Sequence, residues 1–245
     1  MDMVLLDWTR MGRQCCLAGI VTEEGRTRVV RPLPARHRDS PVRNIGWSPY
    51  MLDGHARWDL FELVEMEQAA AEPPHLEDVW VRCLRPLGRS ASPDQRRAIL
   101  RATTAVPGEL VFGISLTLTP GSAHLPPGSG QRSLATLIVP SAGIRFSGSS
   151  RVGAVEPDVR VAFQVAPLGN RLLPMKDHHL LLRAERTAAN LEGQIEAMDQ
   201  FVRAMGEKVA VRLGLSRAFI AEPEKGPGMC WLMVDGFFSL TDPQP

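Results

Sequence analysis

Residues 16–32 have the sequence CLAGIVTEEGRTRVVRP and contain two β-rich runs separated by a polar segment. Acidic residues and Gly25 stand between the runs, as expected where a tight turn joins two strands. The second run, 27–31, is followed by Pro32, which cannot donate a hydrogen bond to a central strand. We therefore expect a pair of strands, the second of them ended by proline.

Similar short apolar or β-branched runs recur on both sides of this stretch, and each predicts a strand. They occupy residues 4–6, 60–64, 133–139, 143–146, 159–165, 179–182, 209–213 and 230–240. This distribution predicts a mainly β chain.

Two segments predict helices. Ser92 is a candidate N-cap for residues 93–104, in which Ile99 and Leu100 would face inward and the arginines outward. In the second segment, apolar residues recur at helical spacing and form one stripe that would pack on a sheet: Leu191, Ile195, Met198, Val202 and Met205. Because only two helices interrupt many strands, we expect two small β-barrels or sandwiches, each with a helix, rather than a βαβ sheet.

A segment rich in glycine, proline and serine divides these elements. We expect residues 120–132 to be a linker or long loop, because this segment is polar and rich in residues that break strands and helices. The predicted domains are then 1–119, with the short helix, and 133–245, with the long amphipathic helix.

Charge is nearly balanced over the chain but alternates along it. The 245 residues carry a net charge of +1, and 25 of the 28 basic residues are arginine. Residues 8–57 hold nine arginines against four acids, residues 59–78 hold seven acids without lysine or arginine, and residues 82–101 hold six arginines against one acid. Clustered cations bind phosphate backbones if they converge in space. The alternative is that each basic face is solvated and pairs with the acidic one, and whether 59–78 forms an interface stays open.

Composition also bears on the cellular setting. No run approaches the roughly 18 consecutive apolar residues of a membrane-spanning helix, and the first 20 residues lack the apolar core of a signal peptide. Cys15, Cys16, Cys83 and Cys230 form neither a disulfide framework nor a CxxC metal motif. We expect a cytoplasmic protein with reduced thiols and no membrane association.

Motifs for catalysis are missing from the sequence. It contains no GxxxxGK[ST] loop, GxGxxG turn, HExxH pair or GxSxG elbow. Asp59, Glu62 and Glu65 resemble a carboxylate metal site, but on a strand Glu62 would face away from the other two. We therefore predict no catalytic residue, metal or cofactor, and a metal-dependent nuclease is the least favoured alternative.

Several segments resemble the bacterial dual OB-containing domain proteins, which carry two oligonucleotide/oligosaccharide-binding folds in tandem. The similar segments are LDWTRM at 6–11, CLAGI at 16–20, VRP at 30–32, PPHLED at 73–78, GQRSL at 130–134, LGLSR at 213–217 and CWLMVDG at 230–236. The chain departs from the family pattern where Met233 and Asp235 replace glutamine and asparagine and where Ala218 replaces proline. The resemblance implies two OB-like barrels, each with an accessory helix, and nucleic-acid or nucleotide binding beside bacterial defence or DNA-processing genes.

An OB-type barrel binds single strands in a groove where aromatic rings stack on bases and cations contact phosphates. We expect Trp8 to stack on a base, with core packing as its alternative role, and Arg217 either to bind phosphate or to brace its loop. The other predicted phosphate contacts are Arg10, Arg13, Arg28, Arg31 and Arg132. The predicted partner is single-stranded DNA or RNA, or a nucleotide, bound without catalysis. The competing hypothesis is a protein-interaction adaptor, in which charged faces pair with partner subunits.

Overall fold

The structure, a computed structural model, describes most of the chain. The described residues are 1–12, 14–38, 46–52, 54–70, 72–105, 110–119, 121–150, 156–164, 168–169, 171–218 and 228–241.

The first half forms one seven-stranded sheet and one helix. Its strands are β1 (Asp2–Met11), β2 (Gln14–Glu23), β3 (Arg26–Pro34), β4 (Asp59–Val64), β5 (Glu67–Gln68), β6 (Asp78–Val81) and β7 (Cys83–Ser90), and they are followed by helix α1 (Pro93–Thr103). The strand order is β5-β6-β3-β2-β1-β4-β7, antiparallel except for the parallel pair β3 and β6.

The second half forms a five-stranded and a three-stranded sheet with two helices. The elements are β8 (Thr117–Thr119), β9 (Ser122–Leu125), β10 (Leu134–Pro140), β11 (Ile144–Ser149), β12 (Asp158–Phe163), β13 (Leu172–Pro174), α2 (His178–Thr187), α3 (Leu191–Ala204), β14 (Lys208–Leu215) and β15 (Cys230–Ser239). The orders are β10-β14-β15-β9-β8 and β11-β12-β13. Strands dominate and the sheets curl into half-barrels, which confirms the predicted mainly β, α+β class.

Both predicted helices are present. In α1, the Ser92 hydroxyl accepts a hydrogen bond from the backbone of Gln95, whose side chain returns one to Ser92, and Ile99 and Leu100 are buried. In α3, Met198 and Val202 of the predicted stripe are buried in the second half. None of the helices in the described part of the chain combines the length and apolar character that crossing a membrane requires.

Three local predictions are wrong. Strand β3 continues through Pro32 to Pro34, because at this point it pairs in parallel with β6. The segment predicted as a linker contains β9, in which Ala123 and Leu125 are fully buried. Residues 179–182 belong to helix α2 rather than to a strand, because Asp177 caps the helix by accepting a hydrogen bond from the Leu180 backbone.

Each half has its own apolar core, and a third cluster joins them. The third cluster combines residues of the first half with Ala210 and Phe238 of the second: Leu6, Ile20, Trp58, Ala91, Ile99 and Leu100. The backbones of the two halves also meet. Strand β4 covers only the first part of β1, where it pairs with Asp2, Met3 and Val4. The edge of β1 near its end is then free to contact Lys176, whose carbonyl accepts a 2.9 Å hydrogen bond from the Arg10 backbone.

A buried ion pair lies at this junction. The Arg212 side chain has no exposed surface, and its Nε and Nη2 atoms donate to Asp7 Oδ1 at 3.0 Å and Oδ2 at 2.6 Å. Its Nη1 donates to the Thr136 hydroxyl at 3.1 Å. Bulges leave one extra residue in each participating sheet: Leu6, before Asp7 in β1, and Asp235 in β15, next to Gly236, which is the register partner of Arg212. Because a bulge redirects side chains, the charged groups point between the sheets rather than to solvent.

Truncation of this pair tests the junction. Asp7→Ala removes the carboxylate that pairs with the buried Arg212 charge and should lower the free energy of unfolding by about 3–5 kcal/mol. The double variant Asp7→Leu with Arg212→Met removes both charges and should be less destabilised than Asp7→Ala. Arg89→Ala, which breaks an exposed pair with Asp2, is the control and should cost less than about 1 kcal/mol. Urea unfolding measures all three, and a loss for Asp7→Ala no larger than for Arg89→Ala would contradict this role of the pair.

Candidate functional site

The predicted stacking residue, Trp8, lies inside the protein. Trp8 is buried, with 4% of its surface exposed. Its ring stacks on the ring of His178, and the two ring centroids are 4.1 Å apart. The ring of His179 contacts it edge-on at 5.0 Å. Burial, with the cation of Arg10 as a second cause, lowers the pKa of His178 to about 4, so the stacked imidazole is neutral at physiological pH. In this arrangement Trp8 joins β1 to α2 and offers no open face to a base.

Arg10 also joins the two halves. Its guanidinium donates to both carboxylate oxygens of Glu185 on α2, at 2.6 and 2.9 Å, and its Nε donates to His178 Nδ1 at 3.0 Å. A bidentate pair of this kind fixes the side chain in one orientation.

Arg31 and Arg217 share one buried carboxylate. Arg31 Nε donates to Asp78 Oδ1 at 2.6 Å, and Arg217 pairs with Oδ2 of the same side chain. Arg31 also donates to His75 Nδ1, so His75 carries its proton on Nε2, which lies 3.1 Å from the Ser216 carbonyl. Burial and the two arginines lower the pKa of His75 to about 2, which keeps it neutral. Of the two roles predicted for Arg217, this geometry favours bracing its loop.

The remaining predicted phosphate contacts lie apart from one another. Arg28 is exposed and donates to the Gln68 side chain at 3.2 Å. Arg132 is half-buried and donates to the Val111 carbonyl at 2.7 Å. Arg13 lies outside the described residues. Among the described members of the predicted set, Arg31 and Arg217 therefore share one carboxylate, and Arg10, Arg28 and Arg132 each have a different partner.

One pocket between the two halves, beside the buried ion pair, is too small for an organic ligand. It measures about 40 Å³ and is lined by Asp7, Arg31, Arg217 and Asp235, among others. A volume of this size accommodates a few water molecules at most. Asp235 packs closely here: a Cβ on Gly214 would lie 1.9 Å from Asp235 Oδ2, so only glycine leaves room for the carboxyl. Burial, together with the nearby Asp7 carboxylate, raises the pKa of Asp235 well above its ordinary value.

A larger cavity opens between α2, α3 and the end of β15, and we call it the α2–α3 cavity. It has a volume of about 530 Å³, within the range of small-molecule sites. Its polar lining comprises Arg57, Asp177, His179, Arg183, Arg186, Ser239 and Thr241, and its apolar lining comprises Leu180, Leu182, Phe201, Ala204, Met205, Phe237 and Phe238.

The local sequence explains the position of the cavity arginines. The Asp177 cap starts α2, and Leu180 and Ala184 turn inward to the core of the second half. Arg183 and Arg186 are three residues apart, so they lie on one face of the helix and are exposed. The Arg183 guanidinium lies 3.5 Å from the centroid of the Phe201 ring, a cation–π contact that supports it at the mouth of the cavity.

The buried end of the cavity is polar. Arg57 reaches it from the first half, pairs with Asp177, and donates from Nη1 to the Phe237 carbonyl at 3.1 Å. Its guanidinium also lies 4.7 Å from the centroid of the Phe238 ring. Burial, and secondarily the Arg57 charge, lower the pKa of His179 to about 3, so His179 adds no charge. Three arginines against one carboxylate give the lining a positive balance, which favours an anionic ligand.

Nowhere among the described residues do three or more His, Cys, Asp or Glu side chains come together in a group that could hold a metal ion. All four cysteines are free thiols. Burial raises the pKa of Cys15 to about 12 and that of Cys16 to about 11, which disfavours the nucleophilic thiolate.

No motif in the sequence predicts the cavity residues. A strand at 179–182, as the apolar run suggests, does not reveal the i, i+3 spacing of Arg183 and Arg186 on a helix. The sequence signal that predicts helix α2 is Asp177, an N-cap residue that precedes a run of good helix formers.

Comparison of the chain with protein-family models, curated proteins and solved structures found no match.

The raised pKa of Asp235 predicts a pH dependence of stability. The folded state keeps this proton at pH values where the unfolded chain, with a pKa near 3.9, has lost it. The contribution of Asp235 to stability therefore falls as pH rises from about 4 towards its folded-state pKa, by up to about 1.4 kcal/mol per pH unit. Asparagine at this position is neutral at every pH. The free energy of unfolding of Asp235→Asn should therefore rise relative to that of the wild type over this pH range, as measured by thermal or urea unfolding.

The matched control is Glu196→Gln on the exposed side of α3, which should show no such trend. A difference between Asp235→Asn and wild type that is constant from pH 4 to 8 would show that Asp235 does not take up a proton on folding.

Proposed function

We propose that the protein binds a nucleotide in the α2–α3 cavity. The observation that carries this proposal is the combination in one cavity of a positive balance of charge with aromatic surface. A nucleotide presents the matching pair of features, an anionic phosphate and a flat aromatic base. The volume of about 530 Å³ is ample for one such molecule.

The mouth of the cavity supports phosphate binding. Arg183 and Arg186 present planar guanidinium groups at the exposed end of the lining, and such groups can bind phosphate oxygens through two parallel hydrogen bonds. Arg183 rests on Phe201, so part of its conformational freedom is already lost before a ligand arrives. A preorganised cation lowers the entropic cost of binding.

The interior supports binding of the base through Phe201, Leu182 and Met205, which are half-buried, whereas Phe237 and Phe238 of the lining are almost fully buried. Contact between a base and an aromatic side chain contributes roughly 1–3 kcal/mol in single-strand complexes. The walls come from both halves of the chain, since Arg57 belongs to the first half and the other lining residues to the second.

Two further parts of the proposal depend on the resemblance. We infer that the two halves are OB-like barrels, an inference that the curled sheets and the helices beside them support. We also infer that the protein acts in a bacterial defence or DNA-processing system. This inference rests only on the sequence segments that resemble the dual OB-containing domain proteins. Because the proposed site is one cavity of about 530 Å³, the proposed ligand is one nucleotide, free or unpaired at the end of a strand, rather than an extended strand.

Isothermal titration calorimetry with purified protein tests the proposal. We expect nucleoside monophosphates to bind more tightly than the corresponding nucleosides or inorganic phosphate, because only the nucleotide uses both ends of the cavity. Changing Arg183 and Arg186 together to glutamine should weaken nucleotide binding at least about tenfold, since hydrogen bonds to charged groups contribute about 1.5–3 kcal/mol each.

The control variant is Arg101→Gln, which changes an exposed arginine in the last turn of α1, outside the α2–α3 cavity. It should bind as the wild type does. A single-stranded decanucleotide forms a separate arm of the titration. If no mononucleotide binds, or if the double variant binds as tightly as the wild type, the proposal is wrong.

A further inference from the structure

A second cavity adjoins the α2–α3 cavity in the groove between the same two helices, and we call it the groove cavity. It has a volume of about 250 Å³. Thr187 and Gln200 line the groove cavity but not the α2–α3 cavity, whereas Leu180, Arg183 and Phe201 line both. The two cavities are therefore neighbours that share one boundary.

The positions along helix α3 give the order of the two cavities. Ala197 precedes Phe201 and lines the groove cavity but not the α2–α3 cavity, whereas Met205 follows Phe201 and has the opposite placement. Since an α-helix rises about 1.5 Å per residue, about 12 Å along the helix axis separates these two residues. The Arg183 guanidinium, 3.5 Å from the centroid of the Phe201 ring, lies between them. A phosphate that Arg183 binds is thus placed at the boundary of the two cavities.

The lining of the groove cavity suits an uncharged group with polar edges. Of the described residues in this lining, Arg183 alone is charged. The Gln200 amide donates to Glu196 Oε1 at 3.1 Å and the Thr187 hydroxyl donates to the Arg183 carbonyl at 2.8 Å, so the side-chain oxygen of each can accept a hydrogen bond. The apolar surface comes from Leu180, Ala184, Ala197, Met198 and Phe201. A nucleoside matches this lining, because it offers hydroxyl and amino donors together with the flat faces of its base.

We propose that the protein binds two nucleosides joined by a phosphodiester, as in a dinucleotide or at the end of a single strand. One nucleoside occupies the α2–α3 cavity, the linking phosphate contacts Arg183, and the second nucleoside occupies the groove cavity. A phosphodiester carries one substituent on each of two oxygens, so a phosphate at the boundary directs one nucleoside into each cavity. This inference rests on the proposed nucleotide-binding function and names the ligand more closely.

The test compares the dinucleoside monophosphate ApA with the methyl phosphate diesters of adenosine, esterified at the 5′ or the 3′ oxygen. All three ligands carry one phosphodiester charge, but the methyl esters lack the second nucleoside. We expect ApA to bind at least about tenfold more tightly than either methyl ester, because the linked nucleoside meets the groove cavity at a high effective concentration. Isothermal titration calorimetry on the wild-type protein gives these constants and that of AMP.

A substitution in the groove cavity should remove this preference. Ala197 is half-buried, so in Ala197→Leu the larger side chain takes up space that the second nucleoside needs. Leucine is a good helix former, so α3 should persist. The affinity of the variant for ApA should fall to that for the methyl esters, whereas its affinity for AMP should stay unchanged.

The matched control is Ala189→Leu, the same change at an exposed position between α2 and α3 that lines neither cavity. It should bind ApA as the wild type does. Equal binding of ApA and the methyl esters by the wild type, or an unchanged preference in Ala197→Leu, would overturn this inference and leave nucleotide binding in place. Failure of both AMP and ApA to bind would overturn the proposed function as well. The wild-type comparison decides the matter even if Ala197→Leu does not fold.

Discussion

Arg212 has no exposed surface, and the carboxylate that neutralises it, Asp7, is 205 positions away in the chain. An isolated charge in such a place would be very costly, so β14 can bury Arg212 only where β1 brings Asp7 beside it. The bulges at Leu6 and Asp235 make this possible by turning charged side chains between the sheets. The hydrogen bonds of this ion pair are directional, so they fix how the two halves meet. Apolar contacts alone fix it less strictly, because they are non-directional.

The α2–α3 cavity depends on that junction. With β1 held against the second half, its free edge meets Lys176 and Asp177, the residues that lead into α2. Arg57 of the first half then reaches Asp177, the residue that caps the helix. The buried end of the cavity is therefore assembled from two parts of the chain, and a ligand bound there would contact both. This explains why its polar atoms come from residues that no short motif contains.

Much of the fold follows from local sequence, whereas the site does not. Helix α1 follows from Ser92 and the residues after it, and α3 from its apolar stripe, because capping and periodicity act over a few residues. The strand β9 is short and surrounded by glycine and proline, and β15, one of its two partners, lies more than 100 residues later. Residues 179–182 form an apolar run that fits a strand or a helix equally, and packing of Leu180 in the core of the second half selects the helix.

The sequence by itself determined the mainly β class, most strand positions and two of the helices, since these depend on the spacing of apolar residues and on turn and cap residues. It also showed that arginines are abundant, but it could not tell which of them are buried in ion pairs and which face a cavity. Only the tertiary structure decided that Arg31 and Arg212 are buried in ion pairs while Arg183 and Arg186 face a cavity. The physical reason is that the role of an arginine depends on which carboxylates and how much water surround it, and those neighbours come from distant parts of the chain.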